Sequence, residues 1–304
     1  MFSHFANERL DIPRSLVVKL LKEQFPHWSH LEVIPVEPGG WDNRTFRLGR
    51  DMSIRLPSAQ SYEVQVHKEH IWLPMLACHF SVSIAQPIAL GRPSKDYPFY
   101  WSIYRWIEGE SAHNVSLSDA ELQKLAFDIA QFLRELQHIK TDGGPLAGSH
   151  NYHRGGNLTH YDNETRLAIV QCQSFINSDL ATSVWEQALS SRWDKNPAWI
   201  HGDLSAGNIL LENGRLVAVI DFGCLGIGDP SCDLVIAWTL LHKESRKIFQ
   251  SELTLDQNTW LRAKGWALWK ALITFSNIED KYSIQANTQL AIIEEILADN
   301  SSCK

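Results

Sequence analysis

Several signals that mark common protein classes are missing from this chain of 304 residues. Its five cysteines are scattered, without a CxxC pair or the Cys/His spacing of a zinc site. Residues 1–15 hold no apolar signal-peptide segment, and no apolar run approaches the length of a membrane-spanning helix. These absences argue against a disulfide framework, a zinc site and a membrane partner. We therefore expect a soluble protein of the reducing cytoplasm.

Clusters of basic residues are missing as well. The formal net charge is −7, whereas general nucleic-acid binders carry basic patches, so we expect no nucleic-acid partner. Hydrophobic residues make up 44% of the chain and charged residues 21%, which is ordinary for a globular protein with a sizeable core. A length of 304 residues favours two lobes over a single core.

The order of apolar patterns predicts how the two lobes follow one another. An amphipathic helix ends before Pro26, and short strands with glycine turns come next. Later the pattern becomes mainly helical, starting with a long helix that Ser118 caps together with Glu121. We therefore predict an α+β protein with a small antiparallel-sheet lobe, residues 1–107, followed by a larger, mainly helical lobe, residues 108–304.

The stretch "AWIHGDLSAGNILLENGRLVAVIDFG" places polar side chains at the ends of two apolar runs. Asn213-Gly214, between the runs, is a strong hairpin signal. Asp203 and Asn208 precede the first run and Asp221 follows the second, so a hairpin should gather these oxygen-bearing groups at one end. Mg²⁺ prefers one or two carboxylates together with phosphate oxygens, and a further carboxylate can accept a proton from an attacking hydroxyl. The stretch therefore favours phosphoryl transfer.

The same residues carry a family resemblance. "HGDLSAGN" followed by "IDFG" resembles the catalytic loop and metal-binding motif of the kinase-like fold, with His-Gly-Asp in place of His-Arg-Asp. With "GDPSCDL" directly after it, the pattern is similar to the aminoglycoside phosphotransferase family, which also holds kinases for choline, homoserine and macrolides. The resemblance covers nearly the whole chain and implies a two-lobed protein-kinase-like fold with a nucleotide-binding N-lobe.

The resemblance also implies roles for residues of the second lobe. Asp203 would be the catalytic base, and Asn208 and Asp221 would bind Mg²⁺. His201 would support the catalytic loop, and Asp233 would brace the backbone of that loop from the following helix.

Nucleotide-binding roles in the first lobe are implied at four positions. No GxGxxG occurs, and Gly39 and Gly40 lie where a phosphate-covering turn is expected; an ordinary hairpin turn is the alternative. Arg55 lies where kinases carry a lysine, and the planar guanidinium of arginine is suited to binding phosphate. Its partner on the following helix should be Glu69, with Glu63 as the alternative. If these residues have no function, their side chains should simply be exposed to solvent.

Two further segments have expected contacts with ligands. Backbone groups from Arg105 to Ile107, in the interlobe hinge, would pair with the purine edge. In the long loop 141–164, His153 and Arg154 are candidates for the acceptor pocket, with an ordinary surface loop as the alternative.

These features together predict a Mg²⁺-dependent O-phosphotransferase that moves the γ-phosphate of ATP or GTP to a hydroxyl of a small molecule, such as an aminoglycoside-type antibiotic. A metabolite kinase of the choline, homoserine or sugar type is an alternative, and so is a nucleotide- or partner-binding module that has lost catalysis. A protein kinase fits less well because no activation loop or APE motif follows "IDFG". We expect a monomer or a weak dimer.

Overall fold

The computed structural model describes residues 9–37, 39–40 and 42–300. The chain forms two compact units, of which the first comprises Met1–Gly109 with Ala218–Gly223 and the second Glu110–Val217 with Cys224–Lys304. The sequence prediction divided the chain at residues 107 and 108, and it assigned all of the later residues to the second lobe. The structure adds 218–223 to the first unit because this segment pairs with a strand and an arginine there.

The first unit contains a five-stranded antiparallel sheet. Its strand order is β1-β2-β3-β6-β5. The elements of the unit are α1 Arg14–Gln24, β1 Val33–Pro35, β2 Asn43–Leu48, β3 Met52–Pro57, α2 Gln60–Leu76, β4 Ser83–Ile84, β5 Pro87–Gly91 and β6 Trp101–Arg105. Helix α1 buries Val17, Leu20 and Leu21, one helical face, against a core that includes Phe46 and Trp101. The predicted α+β character of this lobe is confirmed.

The second unit is mainly helical, as predicted. Its elements are β7 Glu110–Ser111, α3 Asp119–His138, α4 Asp162–Gln171, α5 Ser178–Ser190, β8 Ala198–Ile200, β9 Ile209–Glu212, β10 Arg215–Val219, β11 Gly226–Gly228, α6 Ile236–Thr239, α7 Lys243–Leu253, α8 Gln257–Asn277 and α9 Ile284–Asn300. Helix α8 packs against α4, α5 and α9, so it is the central helix of this unit. The predicted capping box of Ser118 and Glu121 begins α3.

The predicted hairpin is present as β9 and β10, which are neighbours in a sheet. Asn213 and Gly214 both adopt left-handed backbone conformations, with φ of 52° and 72°, as a two-residue type I′ turn requires. Asn208 directly precedes β9. The last two residues of β10, Ala218 and Val219, belong to the first unit and pair there in parallel with β4.

The segment 141–164 was predicted as a loop, and it is irregular apart from two short 3₁₀ turns and the start of α4. It is nevertheless well packed. Asn151 is fully buried and donates hydrogen bonds to the carbonyl oxygens of Arg154, at 3.0 Å, and Cys224, at 3.3 Å. An ordinary surface loop is therefore the wrong description of this part of the segment.

No helix among residues 9–37, 39–40 and 42–300 is both long and apolar enough to cross a membrane.

Candidate active site

The catalytic-loop residues follow β8 and are held by one buried carboxylate. Asp233 is fully buried and accepts hydrogen bonds from the backbone amides of His201 and Gly202, each at 2.7 Å. Gly202 has a φ of 82°, and a Cβ atom at this position would lie 2.4 Å from the carbonyl oxygen of Cys224, so only glycine fits. Nδ1 of His201 accepts from the amide of Asp203 at 3.2 Å. These contacts fix the backbone of residues 201–203, where the catalytic loop begins.

Burial raises the pKa of Asp233, and the neighbouring His201 and the two amides act in the opposite direction. The bracing contact expected from the sequence is thus present. Asp229 caps the short 3₁₀ helix Pro230–Val235 and accepts from the amide of Ser231 at 3.0 Å. It also forms a buried ion pair with Arg262 at 2.6 Å, which the sequence reasoning missed.

Asp203 is paired with a cation that was not predicted. Oδ1 of Asp203 lies 2.6 Å from Nζ of Lys270, which comes from α8. Burial by itself would raise the pKa of Asp203, but the charge and hydrogen bond of Lys270 and the charge of Arg154 outweigh it, and the pKa lies below its ordinary value. Asp203 is therefore ionised at neutral pH and presents an acceptor for a hydroxyl.

Asn208 is oriented by its own loop. Its Nδ2 donates to the carbonyl oxygen of Asp203 at 2.9 Å. Within the part of the chain that the structure describes, its side-chain oxygen has no hydrogen-bond partner and so remains available as a hard ligand for a cation.

The two acceptor-pocket candidates have different surroundings. Arg154 is 8% exposed and lines a cavity that Asp203 and Lys270 also line. His153 stacks on His160 with ring centroids 3.7 Å apart, and it is not part of the lining of that cavity. Burial, together with neighbouring histidines, lowers the pKa of His153.

The first unit holds the remaining charged candidates. Nη2 of Arg55, on β3, lies 2.6 Å from Oδ1 of Asp221, and Nη1 of Arg55 lies 3.6 Å from Oε1 of Glu69, on α2. Tyr104 donates a hydrogen bond to Glu69. Glu63 instead accepts from the backbone amide of Tyr100 at 2.9 Å. The predicted pairing of Arg55 with Glu69 thus agrees with the structure; its role in nucleotide binding stays a prediction.

Burial raises the pKa of the Glu69 carboxyl, with the Arg55 charge opposing this effect. Burial alone would lower the pKa of Arg55, but the charges of Asp221 and Glu69 outweigh it and raise the pKa. Asp221 has a φ of 64°, an uncommon conformation for a residue with a side chain, and its side chain is 42% exposed. Such strained positions concentrate at functional sites.

The donor set for a divalent cation is small. Among the residues that the structure describes, no group of three or more His, Cys, Asp or Glu side chains is placed to hold a metal ion. Asn208, in the second unit, and Asp221, in the first, each offer an oxygen, which is the kind of donor that Mg²⁺ prefers. The chemistry of the donors therefore fits Mg²⁺.

The glycine turn is partly described, since Pro38 and Trp41 lie outside the described residues. The amide of Gly39 donates to the side chain of Glu37 at 3.2 Å. A Cβ atom on Gly40 would lie 2.8 Å from the carbonyl oxygen of Asn43, so this position requires glycine for a local steric reason. Binding of phosphate by this turn stays a prediction.

In the expected hinge, residues 105–107, two of the three backbone amides already donate hydrogen bonds within the protein. The amide of Arg105 donates to Gln86 at 3.0 Å, and that of Trp106 donates to Asp51 at 2.8 Å. The amide of Ile107 has no partner among the described residues, and its contact with a purine edge stays a prediction.

Solved structures of phosphotransferases share this fold. The chain is similar to a GDP complex of a wild-type aminoglycoside 2'-phosphotransferase, with a TM-score of 0.71 and 20% identity, over 95% of this chain and 100% of the other. It is also similar to a macrolide 2'-phosphotransferase of type I, with a TM-score of 0.61 and 15% identity, over 93% of this chain and 98% of the other. These likenesses define the class: a two-lobed, kinase-like α+β fold.

The sequence comparison gives the family. A family model described as "Phosphotransferase enzyme family" matches residues 33–267, and the chain belongs to this family, as the aminoglycoside phosphotransferase resemblance predicted. An aminoglycoside 3'-phosphotransferase of Salmonella typhimurium is 25% identical over 170 residues, which cover 49% of this chain and 57% of that protein. One of Escherichia coli is 26% identical over 170 residues with the same coverage. The match thus spans little more than half the length of these curated relatives.

Proposed function

We propose that the protein transfers the γ-phosphate of ATP or GTP to a hydroxyl group of a small molecule in a Mg²⁺-dependent reaction. The observation that supports this most is the position of Asp203. Its loop backbone is fixed through Asp233, and Lys270 keeps its carboxylate ionised. Kinase-type transfer depends on positioning and charge neutralisation, so a fixed, ionised acceptor beside a cavity is what the reaction needs.

In the proposed reaction, Asp203 accepts a hydrogen bond from the acceptor hydroxyl and aims its oxygen at the γ-phosphorus. The new oxygen–phosphorus bond forms as the bond from that phosphorus to the β–γ bridging oxygen breaks. The hydroxyl proton passes to a carboxylate oxygen of Asp203, and the nucleoside diphosphate leaves with the electron pair. Because the lowered pKa makes Asp203 a weak base, proton transfer accompanies bond formation rather than preceding it.

Other residues would hold the donor. Arg55 would bind phosphate oxygens through its guanidinium, with Glu69 restraining its position. Gly39 and Gly40 would lie over the phosphates, and the hinge from Arg105 to Ile107 would receive the purine. When bound, Mg²⁺ neutralises charge on the phosphates, and the oxygens of Asn208 and Asp221 are the groups that would hold it.

The acceptors named for the relatives are aminoglycosides and a macrolide, so these compounds come first in a screen. Amino alcohols and sugars follow, for the alternative of a metabolite kinase. The proposed partners are the nucleotide and the acceptor alone, for a monomer or weak dimer in the cytoplasm.

A nucleotide-binding module without catalysis is the second candidate function. The ion pair of Arg55 with Asp221 favours this candidate, because the residue proposed to bind phosphate and a residue proposed to bind the metal are paired with each other. Nucleotide affinity measured with and without Mg²⁺, followed by turnover, separates the two candidates. Tight binding without transfer to any acceptor, water included, would identify the module.

The Asp203→Asn variant tests the mechanism directly. We expect its turnover to fall by about a thousandfold, since positioned acid–base groups contribute on the order of 10² to 10⁴, while nucleotide affinity stays unchanged. Asp179→Asn, an exposed first-turn residue of α5, is the matched control and should retain wild-type turnover. Turnover of Asp203→Asn within a factor of about two of wild type would contradict the base assignment.

A further inference from the structure

The cavity beside Asp203 lies within the second unit and has an unusual charge composition. Its charged lining residues are Asp203, Arg154 and Lys270. The other lining side chains are uncharged, with Trp266 and Trp269 the largest. Two cations thus face one carboxylate among the lining side chains, while the carboxylates of Asp233 and Glu164 lie behind the lining, bonded to Gly202 and Trp269.

Arg154 is the buried cation of this cavity. Its guanidinium lies 4.4 Å from the ring centroid of Trp269, 5.6 Å from that of Trp266 and 5.9 Å from that of Tyr161. These rings stabilise the charge through their faces. They do not accept hydrogen bonds from the edge of the guanidinium, and Nη1 of Arg154 is buried without a hydrogen-bond partner among the described residues.

An unpaired buried guanidinium donor is costly, because it loses its bonds to water and gains none in return. The cavity has a volume of about 10 Å³, which is room for about one water-sized group, so an oxygen atom that enters it beside Arg154 would remove this cost. An anionic oxygen is the best acceptor, since charge-assisted bonds from arginine are roughly twice as strong as neutral ones. The surroundings of Arg154 therefore favour a negatively charged oxygen over a neutral one.

Lys270 is the second cation, at a partly open position. Its side chain is 38% exposed and its ammonium lies 2.6 Å from Asp203. An ammonium carries three donor hydrogens, and a single carboxylate contact leaves others for an incoming group. Lys270 thus presents charge to a ligand at the place where the hydroxyl must approach Asp203.

We propose that the acceptor of this enzyme is a hydroxy compound bearing an anionic group, a carboxylate or a phosphate, which pairs with Arg154 and Lys270 while its hydroxyl meets Asp203. The identification as an acceptor site rests on the proposed function. Polycations such as aminoglycosides are disfavoured, because like charges in a partly desolvated cavity repel each other.

The first experiment measures binding of inorganic phosphate, acetate and kanamycin to the nucleotide-free protein by titration calorimetry at low ionic strength. Phosphate or acetate should bind, and Lys270→Gln should weaken that binding by about tenfold, as the loss of one charge-assisted contact predicts. Lys270→Arg, which retains the charge, should restore it. Lys247→Gln, an exposed residue of α7 outside the cavity, should bind as wild type does.

Anion binding that Lys270→Gln leaves unchanged would overturn the proposal, because the anions would then occupy another site, such as that of Arg55. No anion binding at all, or kanamycin binding tighter than phosphate and acetate, would overturn it too. Arg154→Gln should lose binding as well, but its burial threatens the fold, so Lys270→Gln carries the test.

The second experiment compares nucleotide consumption with matched acceptors: glycerol 3-phosphate against glycerol, and gluconate against glucose. The charged member of at least one pair should react at least about tenfold faster, and the pair that responds distinguishes phosphate from carboxylate. Faster reaction of the uncharged members or of kanamycin overturns the proposal while the phosphotransferase function stands. If nothing is phosphorylated but Lys270-dependent anion binding persists, the anion site stands and the proposed function fails.

Discussion

The two compact units carry charge clusters of opposite composition. In the first, Arg55 lies between the carboxylates of Glu69 and Asp221. In the second, Asp203 is accompanied by Lys270 and Arg154. A cluster with excess negative charge attracts a cation, and one with excess positive charge attracts an anion. The proposed Mg²⁺ contact of Asp221 belongs to the first cluster, and the proposed anionic ligand belongs to the second.

Removal of the exposed carboxylate of the first cluster should have the strongest effect. In Asp221→Ala, Mg²⁺ should no longer raise nucleotide affinity, a loss of at least about tenfold for one missing charged contact. Without Mg²⁺ the variant should bind nucleotide as well as wild type or better, because Arg55 is released from its ion pair. Calorimetry with and without Mg²⁺ measures both effects.

Asp96→Ala, which removes a surface carboxylate paired with Lys19 in the same unit, is the control and should respond to Mg²⁺ as wild type does. A full Mg²⁺ response in Asp221→Ala would remove Asp221 from the proposed metal site.

Variants of two glutamates of α2 test whether Glu69 acts through its pairing with Arg55. Glu69→Gln should lower nucleotide affinity by about fivefold, because Arg55 loses the charge of one partner that restrains it. Glu63→Gln should have no effect, since Glu63 bonds the amide of Tyr100 rather than Arg55. Equal losses in both variants would point to a general effect on α2 instead of the pairing.

The smallest expected effect concerns the pH dependence of the second cluster. Lys270 lowers the pKa of Asp203, so Lys270→Met should raise that pKa. Since Asp203 must be ionised to act, the acidic limb of the pH profile of nucleotide consumption should move to higher pH. Lys270→Arg retains the charge and should leave the limb in place. An unmoved limb in Lys270→Met would show that a group other than Asp203 controls it.

Local features of the fold were predictable because neighbouring residues determine them. The turn at Asn213 and Gly214 and the capping box of Ser118 and Glu121 depend on backbone preferences and contacts within a few residues. The pairing of Arg55 with Glu69 was predicted from the motif order of a kinase-like fold rather than from spacing.

The partners of Asp203 were not predictable in the same way. Lys270 lies 67 residues away in sequence, and only the packing of α8 brings it to the catalytic loop. A partial signal existed, since Trp266, Trp269 and Lys270 are three and four residues apart and so share one face of α8. The two indoles are indeed 1% exposed each, and they also line the cavity.

Strand β10 has a consequence for how this chain can vary in length. Its last residues pair with β4 in a fixed register, and Asp221 follows two residues later. One residue inserted within β10 would either turn the remaining side chains of the strand to the opposite face or shift Ala218 and Val219 from their partners in β4, and it would displace Asp221 from Arg55. An insertion at the Asn213-Gly214 turn would leave this register intact, so the spacing from Arg215 to Asp221 is part of what places Asp221.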